Sequence, residues 1–313
     1  MSRIVIMKKI KSFISRVANK IFMNSDWYCE GFWKGTTKFW NIQSCDYDII
    51  NLGSNSGKYS FCYDNLPVKG MNWAVGPQSL MHDFNILKNY FSHLKEGGIV
   101  LIPLCPFSCL QSPYKKESNF KYYPILHPAT IIDFDDSERT RAYKIKSNPL
   151  KEMPIYCIKN TLKELVKKIY KNLRSIPKIN YQEDADMWIN LWKEQFGIMD
   201  LDASMKEKHL MERSKRAKTL RKMISFCNER NLKAYVVLPP IHPALLSRFS
   251  QSFIKHYIYD FIHEAVDDKN KLIDHLGNVS FHKDEYFQNA YFMNGKGASK
   301  FTELILKDLG LLN

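Results

Sequence analysis

Residues 47–57 read Tyr-Asp-Ile-Ile-Asn-Leu-Gly-Ser-Asn-Ser-Gly. The apolar run predicts a buried strand over 47–52. The Gly-Ser-Asn-Ser-Gly after it brings small polar residues to that strand's carboxyl end, where open α/β sheets bind their ligands. Gly53 and Gly57 let the backbone take positive φ and approach another group closely, so the loop can offer amides and hydroxyls to an oxyanion or a sugar hydroxyl. The ordinary reading of the same residues is a strand-to-helix turn with a serine N-cap.

Outward from this stretch, strands and helices alternate. Residues 71–75 predict a second strand. Residues 78–94 predict a helix with Leu80, Phe84, Leu87, Tyr90, Phe91 and Leu94 on one face, stopped by Gly97-Gly98. Residues 99–102 predict a third strand, apolar throughout as a strand covered on both faces must be, ending at Pro103. Residues 234–238 predict a fourth strand after a helix carrying Leu220, Met223, Ile224 and Cys227, residues 271–274 a fifth, and residues 296–309 a closing helix. Such alternation implies an α/β protein of three-layer α/β/α type with a mostly parallel sheet. The span between the third and fourth strands exceeds any ordinary connection and predicts a mainly helical insertion. The expected organisation is an N-terminal segment over 1–45, a core over 46–106 and 231–313, and an insertion over 107–230.

With 313 residues, 45% of them hydrophobic, the chain can bury one large core or a core plus a subdomain. No apolar run approaches the roughly 18 residues that span a bilayer, and none resembles a signal-peptide core. The expected compartment is the cytoplasm, with peripheral attachment to a membrane left open. The seven cysteines form no CxxC pair and read as reduced thiols. Cys105 and Cys109 have no matching Cys/His cluster to complete a zinc site, so neither a metal nor a cofactor is expected.

The net charge of +14 is local: residues 1–20 carry six Lys/Arg and no acid, and residues 139–178 carry twelve against Glu152 and Glu164. The remainder sums to −2, which argues against a general nucleic-acid surface. The first basic segment spaces Ile10, Phe13, Ile14, Val17, Ala18 and Ile21 as one helix face, with Lys9, Lys11, Arg16 and Lys20 around the rest. It reads either as a helix packed on its own domain or as one lying on an anionic membrane surface. In the second, residues 161–173 set Leu162, Leu165, Val166, Ile169 and Leu173 against Lys163, Lys167, Lys168 and Lys171. Those lysines read as a solvated face, with an anionic polymer as the alternative. An aromatic cluster (Trp27, Tyr28, Phe32, Trp33, Phe39, Trp40) reads as a core flank or a lip over the site.

Four pieces carry a resemblance: Asn51-Leu-Gly-Ser-Asn-Ser56, the segment from Lys69 to Ser79, Leu238-Pro-Pro-Ile-His-Pro243, and the segment from Asp284 to Ala298 with Asn294, Gly297 and Ala298 leading into the last helix. Their order resembles the SGNH, or GDSL-like, hydrolase and acyltransferase superfamily, in particular its bacterial members associated with surface-polysaccharide assembly. The resemblance implies ester hydrolysis or O-acyl transfer by a serine after Gly-Asp, aided by an Asp and a His three residues apart in the closing motif. This chain has Asn55, Asn289 and Phe292 at those positions, and none of the three accepts a proton. The superfamily's oxyanion asparagine after the third strand is likewise replaced, by the run Pro103-Leu-Cys-Pro106.

Three readings follow. A degenerate SGNH-like protein of glycan assembly would bind a saccharide or acylated glycan through Gly53, Asn55, Asn72, Gly76, Asn289 and Asn294. An active esterase or O-acyltransferase would use Ser54 or Ser56 with His242. A membrane-surface scaffold would contact anionic lipid through its N-terminal helix. His82 and His127 are weaker candidates for a base.

Overall fold

A computed structural model of the chain describes residues 13, 15–42, 45–110, 115–173, 179–268 and 271–312, with the backbone alone for 171–173. Five strands, β1 (Tyr47–Asn51), β2 (Gly70–Asn72), β3 (Leu94–Pro103), β4 (Lys233–Leu238) and β5 (Leu272–Asp274), form one sheet in the order β2-β1-β3-β4-β5, and every neighbouring pair is parallel. The helices that matter below are α1 (Asn55–Ser60), α2 (Leu80–Tyr90), α3 (Asp136–Ser147), α4 (Pro154–Leu173), α5 (Tyr181–Phe196), α6 (Glu207–Asn228), α7 (Asp260–Ala265) and α8 (Gly295–Asp308).

The chain divides into two compact units. One, residues 44–113 and 179–313, holds the sheet; the other is made of residues 1–43 and 114–178. These boundaries differ from the expected ones at 45, 106 and 230. The N-terminal segment joins the first half of the insertion, while α6 packs on β4 and α2 and so belongs with the sheet.

Successive strand residues point to opposite layers. Ile49, Ile99, Leu101 and Val237 meet Phe61, Phe301, Ile305 and Leu306 in one core, on the side of α1 and α8. Ile50, Val100, Ile102 and Val236 are buried as well and alternate to the other face, where α2, α6 and α7 pack together. Covering both faces is why residues 99–102 of β3 and 236–238 of β4 read as unbroken Val/Ile/Leu runs. The three-layer α/β/α architecture with a parallel sheet is therefore as the alternation predicts.

Local differences have physical causes. The helix expected to reach residue 94 ends at Tyr90, continues as a 3-10 turn over Phe91–His93, and gives way to β3, which already pairs Leu94 with Tyr47. Gly97-Gly98 does not stop a helix. The ladder slips from Tyr47↔Leu94 to Ile49↔Ile99, and Gly97, at φ 72°, allows the extra residues to bulge out. β2 is shorter than expected, yet Trp73 N–H still donates to Asn51 O (2.8 Å) and Val75 N–H to Gly53 O (3.0 Å), so the chain runs on beside β1.

In the second unit the aromatic cluster forms a core of its own. Tyr28 and Trp33 are fully buried, Trp33 stacks on Phe120 with ring centroids 5.5 Å apart, and the Tyr28 hydroxyl donates to Ile145 O at the end of α3 (3.0 Å). The N-terminal helix is described over residues 15–23, and Asn19 ties it down by donating to Asn148 Oδ1 (2.8 Å) and accepting from Leu150 N–H (3.0 Å). Lys9, Ile10, Lys11 and Ile14 lie outside the described residues. Among the described residues no helix is long and apolar enough to cross a membrane.

Candidate functional site

In the strand order β2-β1-β3-β4-β5 the chain turns one way from β1 to reach β2 and the other way to reach β3. The carboxyl ends of β1 and β3 flank this reversal, the place where parallel α/β sheets accept ligands. Residues 53–57 leave β1 there, and residues 104–109 leave β3.

The first of these loops is fastened by carboxamides. Asn51, fully buried at the end of β1, donates from Nδ2 to Asn72 Oδ1 (3.0 Å) and to Gly57 O (3.3 Å). Asn72 donates to Gly57 O (3.2 Å), Lys58 O (3.2 Å) and Phe61 O (3.0 Å), and accepts from Ala74 N–H (3.0 Å). Asn72 is thus a clasp between β2 and α1. Gly53 (φ 113°) donates its N–H to Asp83 Oδ1 (2.8 Å) and accepts at its carbonyl from Gln78 Nε2 (3.2 Å), while Gln78 Nε2 also bonds Asp83. The Ser54 hydroxyl accepts from Gln78 N–H (3.1 Å). Asn55 lays its carboxamide against Gly76, where a Cβ would fall 1.6 Å from Asn55 Oδ1. A side chain at position 76 would have to displace that carboxamide.

The β3 exit supplies a thiol. Cys105 N–H donates to Ser108 Oγ (2.8 Å), and that hydroxyl lies 3.3 Å from Cys105 Sγ. Arg216, from α6, reaches the Ser108 carbonyl through Nε, with Cys105, Cys109 and Asp83 as charge neighbours; burial pulls its pKa below the ordinary guanidinium value. Burial pushes the Cys109 thiol up, so it stays protonated. The Tyr291 phenol meets both the Ser56 hydroxyl and the Cys105 thiol. Its ring is enclosed by Trp192 and Trp188 of α5 and by Phe292, with centroids 4.9, 5.2 and 4.4 Å away. Burial raises its pKa well above the usual phenol value and keeps it a neutral donor.

His242 leaves β4 into the same neighbourhood. Its backbone N–H donates to Ala290 O (3.2 Å), joining the β4 exit to the closing loop. Its ring is buried and stacks on Tyr181 at 4.0 Å and 9°, Nδ1 accepts from Ala244 N–H (3.1 Å), and Nε2 lies 3.1 Å from Asp284 Oδ1. Both nitrogens are engaged, with the Nε2–H tautomer fixed by the two contacts, and no serine is among its hydrogen-bond partners. His82 and His127 likewise serve local turns, through Ser79 Oγ (3.0 Å) and Ala129 N–H (3.3 Å).

In the closing segment Asn289 Oδ1 accepts from Tyr291 N–H (3.0 Å) and Phe292 N–H (2.6 Å), and Phe292 packs 4.9 Å from Tyr59 of α1. Asn294 caps α8 by accepting from Gly297 N–H (3.0 Å) and donates to Glu285 O (2.8 Å). The β1 exit, the β4 exit and the closing loop therefore meet, but Asn72, Asn289 and Asn294 spend their carboxamides on backbone.

Several residues gathered around the β1 and β3 exits carry no local signature in the sequence. Cys105 follows β3 as Ser54 follows β1, and the strand-end argument applied a second time finds it. Tyr291 lies between two residues already singled out. Asp83, Gln78, Trp188 and Arg216 come from helices or turns with no local signature. The Trp188 indole N–H is buried without a hydrogen-bond partner among the described residues. No group of three His, Cys, Asp or Glu among the described residues is placed to hold a metal ion. The side chains gathered at this strand end are uncharged: Ser56, Tyr291 and Trp188, set among aromatic rings.

The sequence matches no protein-family model, and a search of curated proteins returns no match.

Proposed function

We propose that this protein is an SGNH-hydrolase-like member of a bacterial glycan-assembly system that binds a saccharide or acylated glycan at the β1/β3 site without hydrolysing it. The observation that carries this reading is the commitment of both His242 nitrogens, to Ala244 N–H and to Asp284, with Asn289 and Phe292 at the positions where the superfamily keeps its acid and base. A serine hydroxyl attacks an ester only when a base removes its proton. Ser54 instead accepts a backbone N–H, and Ser56 faces a phenol whose proton is held tightly. The neutral donors and aromatic rings suit a polyhydroxylated ligand, since aromatic faces pack on the apolar side of a sugar ring and hydroxyl and indole groups bond its edge.

The test is retention of the full chain on an array of acetylated and deacetylated bacterial polysaccharides. The expected result is saturable binding that Tyr291→Phe and Trp188→Phe weaken, with the acetyl content of the bound glycan unchanged. Absence of binding to every saccharide, or release of acetate, overturns it.

A further inference from the structure

Helix α4 is turned inside out. Its inward face is small and polar: Cys157 is buried, Thr161 Oγ1 accepts from Trp27 Nε1–H (2.8 Å), and Glu164 Oε2 accepts from Trp27 N–H (2.9 Å) while its other oxygen holds Lys168 (2.7 Å). Its apolar stripe faces out: Ile155 is 80% exposed, Leu162 56%, Ile169 57%, and Ile158, Leu165 and Val166 are exposed as well. These six recur at the three- and four-residue spacing that puts them on one side of the helix. The sequence predicts a solvated lysine face, and Lys159, Lys163, Lys167 and Lys168 are exposed. The structure buries neither face of lysine nor the apolar stripe beside it.

An isolated exposed leucine needs no explanation, but a continuous apolar stripe along about four turns marks an interaction surface. Charge identifies what covers it. The unit made of 1–43 and 114–178 carries 23 Lys/Arg against nine Asp/Glu, whereas the sheet-bearing unit carries 23 against 23. The whole excess of +14 thus resides in the unit that bears α4. Lys159, Lys163 and Lys167 run along one edge of the stripe, four residues apart. The N-terminal helix of the same unit repeats the combination, with Phe13, Val17 and Ile21 exposed beside Arg16 and Lys20. A second copy of the chain would set this positive charge against itself; an anionic lipid surface complements it and accepts the apolar side chains at the boundary of headgroups and acyl chains. With five lysines, α4 lies along such a surface and does not span it.

We infer that α4 is a membrane-surface helix whose apolar stripe enters the interface of an anionic phospholipid bilayer while its lysines meet the headgroups. The inference stands on unit 1–43/114–178 alone and does not depend on what the β1/β3 site binds. The experiment is flotation of the full chain with vesicles of phosphatidylcholine alone and of phosphatidylcholine with phosphatidylglycerol. Binding is expected only to the second, weakening as salt rises. The combined variant Ile158→Ser, Leu162→Ser, Ile169→Ser removes exposed groups only, so it keeps the wild-type circular dichroism, and it is expected to bind at least about tenfold more weakly. Lys163→Glu with Lys167→Glu is expected to lose binding while keeping the stripe. Failure of the wild type to float with anionic vesicles overturns the inference. So does undiminished flotation of the triple-serine variant, which would assign binding to the N-terminal helix, and so does a wild-type dimer that the same variant dissociates in the absence of any vesicle binding.

Discussion

His242 Nε2 lies 3.1 Å from Asp284 Oδ1, and Nδ1 of the same ring accepts the Ala244 amide at 3.1 Å, so the imidazole joins a turn cap to the closing segment. A buried ring holding two hydrogen bonds and a stacked tyrosine is a structural element. His242→Ala is expected to lower the unfolding free energy by about 2–3 kcal/mol, from the lost cap, the unmet Ala244 amide and the space left beneath Tyr181. Asp284 is largely exposed, and Asp284→Asn keeps an acceptor oxygen, so its cost is expected below about 0.5 kcal/mol. Urea titrations of the two variants read both figures.

Asn72 holds three carbonyls and one amide together where β2 meets α1. Asn72→Ala strands those groups away from solvent and is expected to cost about 2–4 kcal/mol. Asn72→Asp is expected to be no better, because a carboxylate cannot donate to Gly57, Lys58 and Phe61. Thermal unfolding monitored by circular dichroism distinguishes these from a surface asparagine, whose loss would pass unnoticed.

Gly57 admits no side chain: a Cβ there falls 2.4 Å from Leu52 O, a backbone atom that can yield only by moving the strand. Gly57→Ala is expected to destabilise by about 2 kcal/mol or more and to displace Ser56 from Tyr291. The same substitution at Gly197, where a Cβ meets nothing within 4 Å but φ is 66°, is expected to cost only about 1 kcal/mol. Comparing the two in one denaturant series separates steric contact from backbone strain.

Burial raises the phenol pKa of Tyr291 and of Tyr63 well above the ordinary value. A group whose folded pKa is raised contributes stability that is fully present below its unfolded pKa, about 10 for tyrosine, and is lost as the pH climbs from there through the folded value. In that alkaline range each such tyrosine is expected to lower the unfolding free energy by up to about 1.4 kcal/mol per pH unit. Tyr291→Phe is expected to flatten the slope by one tyrosine's share, which guanidinium unfolding between neutral and alkaline pH measures.

The α/β/α layering is legible because the carboxyl halves of β3 and β4 are covered on both faces and so carry unbroken apolar runs, a signal confined to a few neighbouring residues. The end of the helix before β3 was not, because Gly97 serves a bulge in this chain, and a glycine pair reads identically as a helix stop or as a strand irregularity. At the site, Gly53 to Ser56 could be picked out by the strand-end argument. Tyr291, Trp188 and Arg216 could not, since their place beside Ser56 and Cys105 is created by long-range packing of α5, α6 and the closing loop. The lysines of α4 are exposed as the sequence predicts, but the exposure of its apolar stripe is not legible there: periodicity identifies a helix with two faces, and only Trp27, bonded to Thr161 and Glu164, decides which side turns inward.

Intact-mass measurement after treatment of the full chain with a fluorophosphonate tests most directly whether the β1/β3 site binds without proton transfer. No adduct is expected on Ser54 or Ser56 in the wild type. A stoichiometric adduct on either serine, abolished by His242→Ala in a protein that still folds, would contradict it.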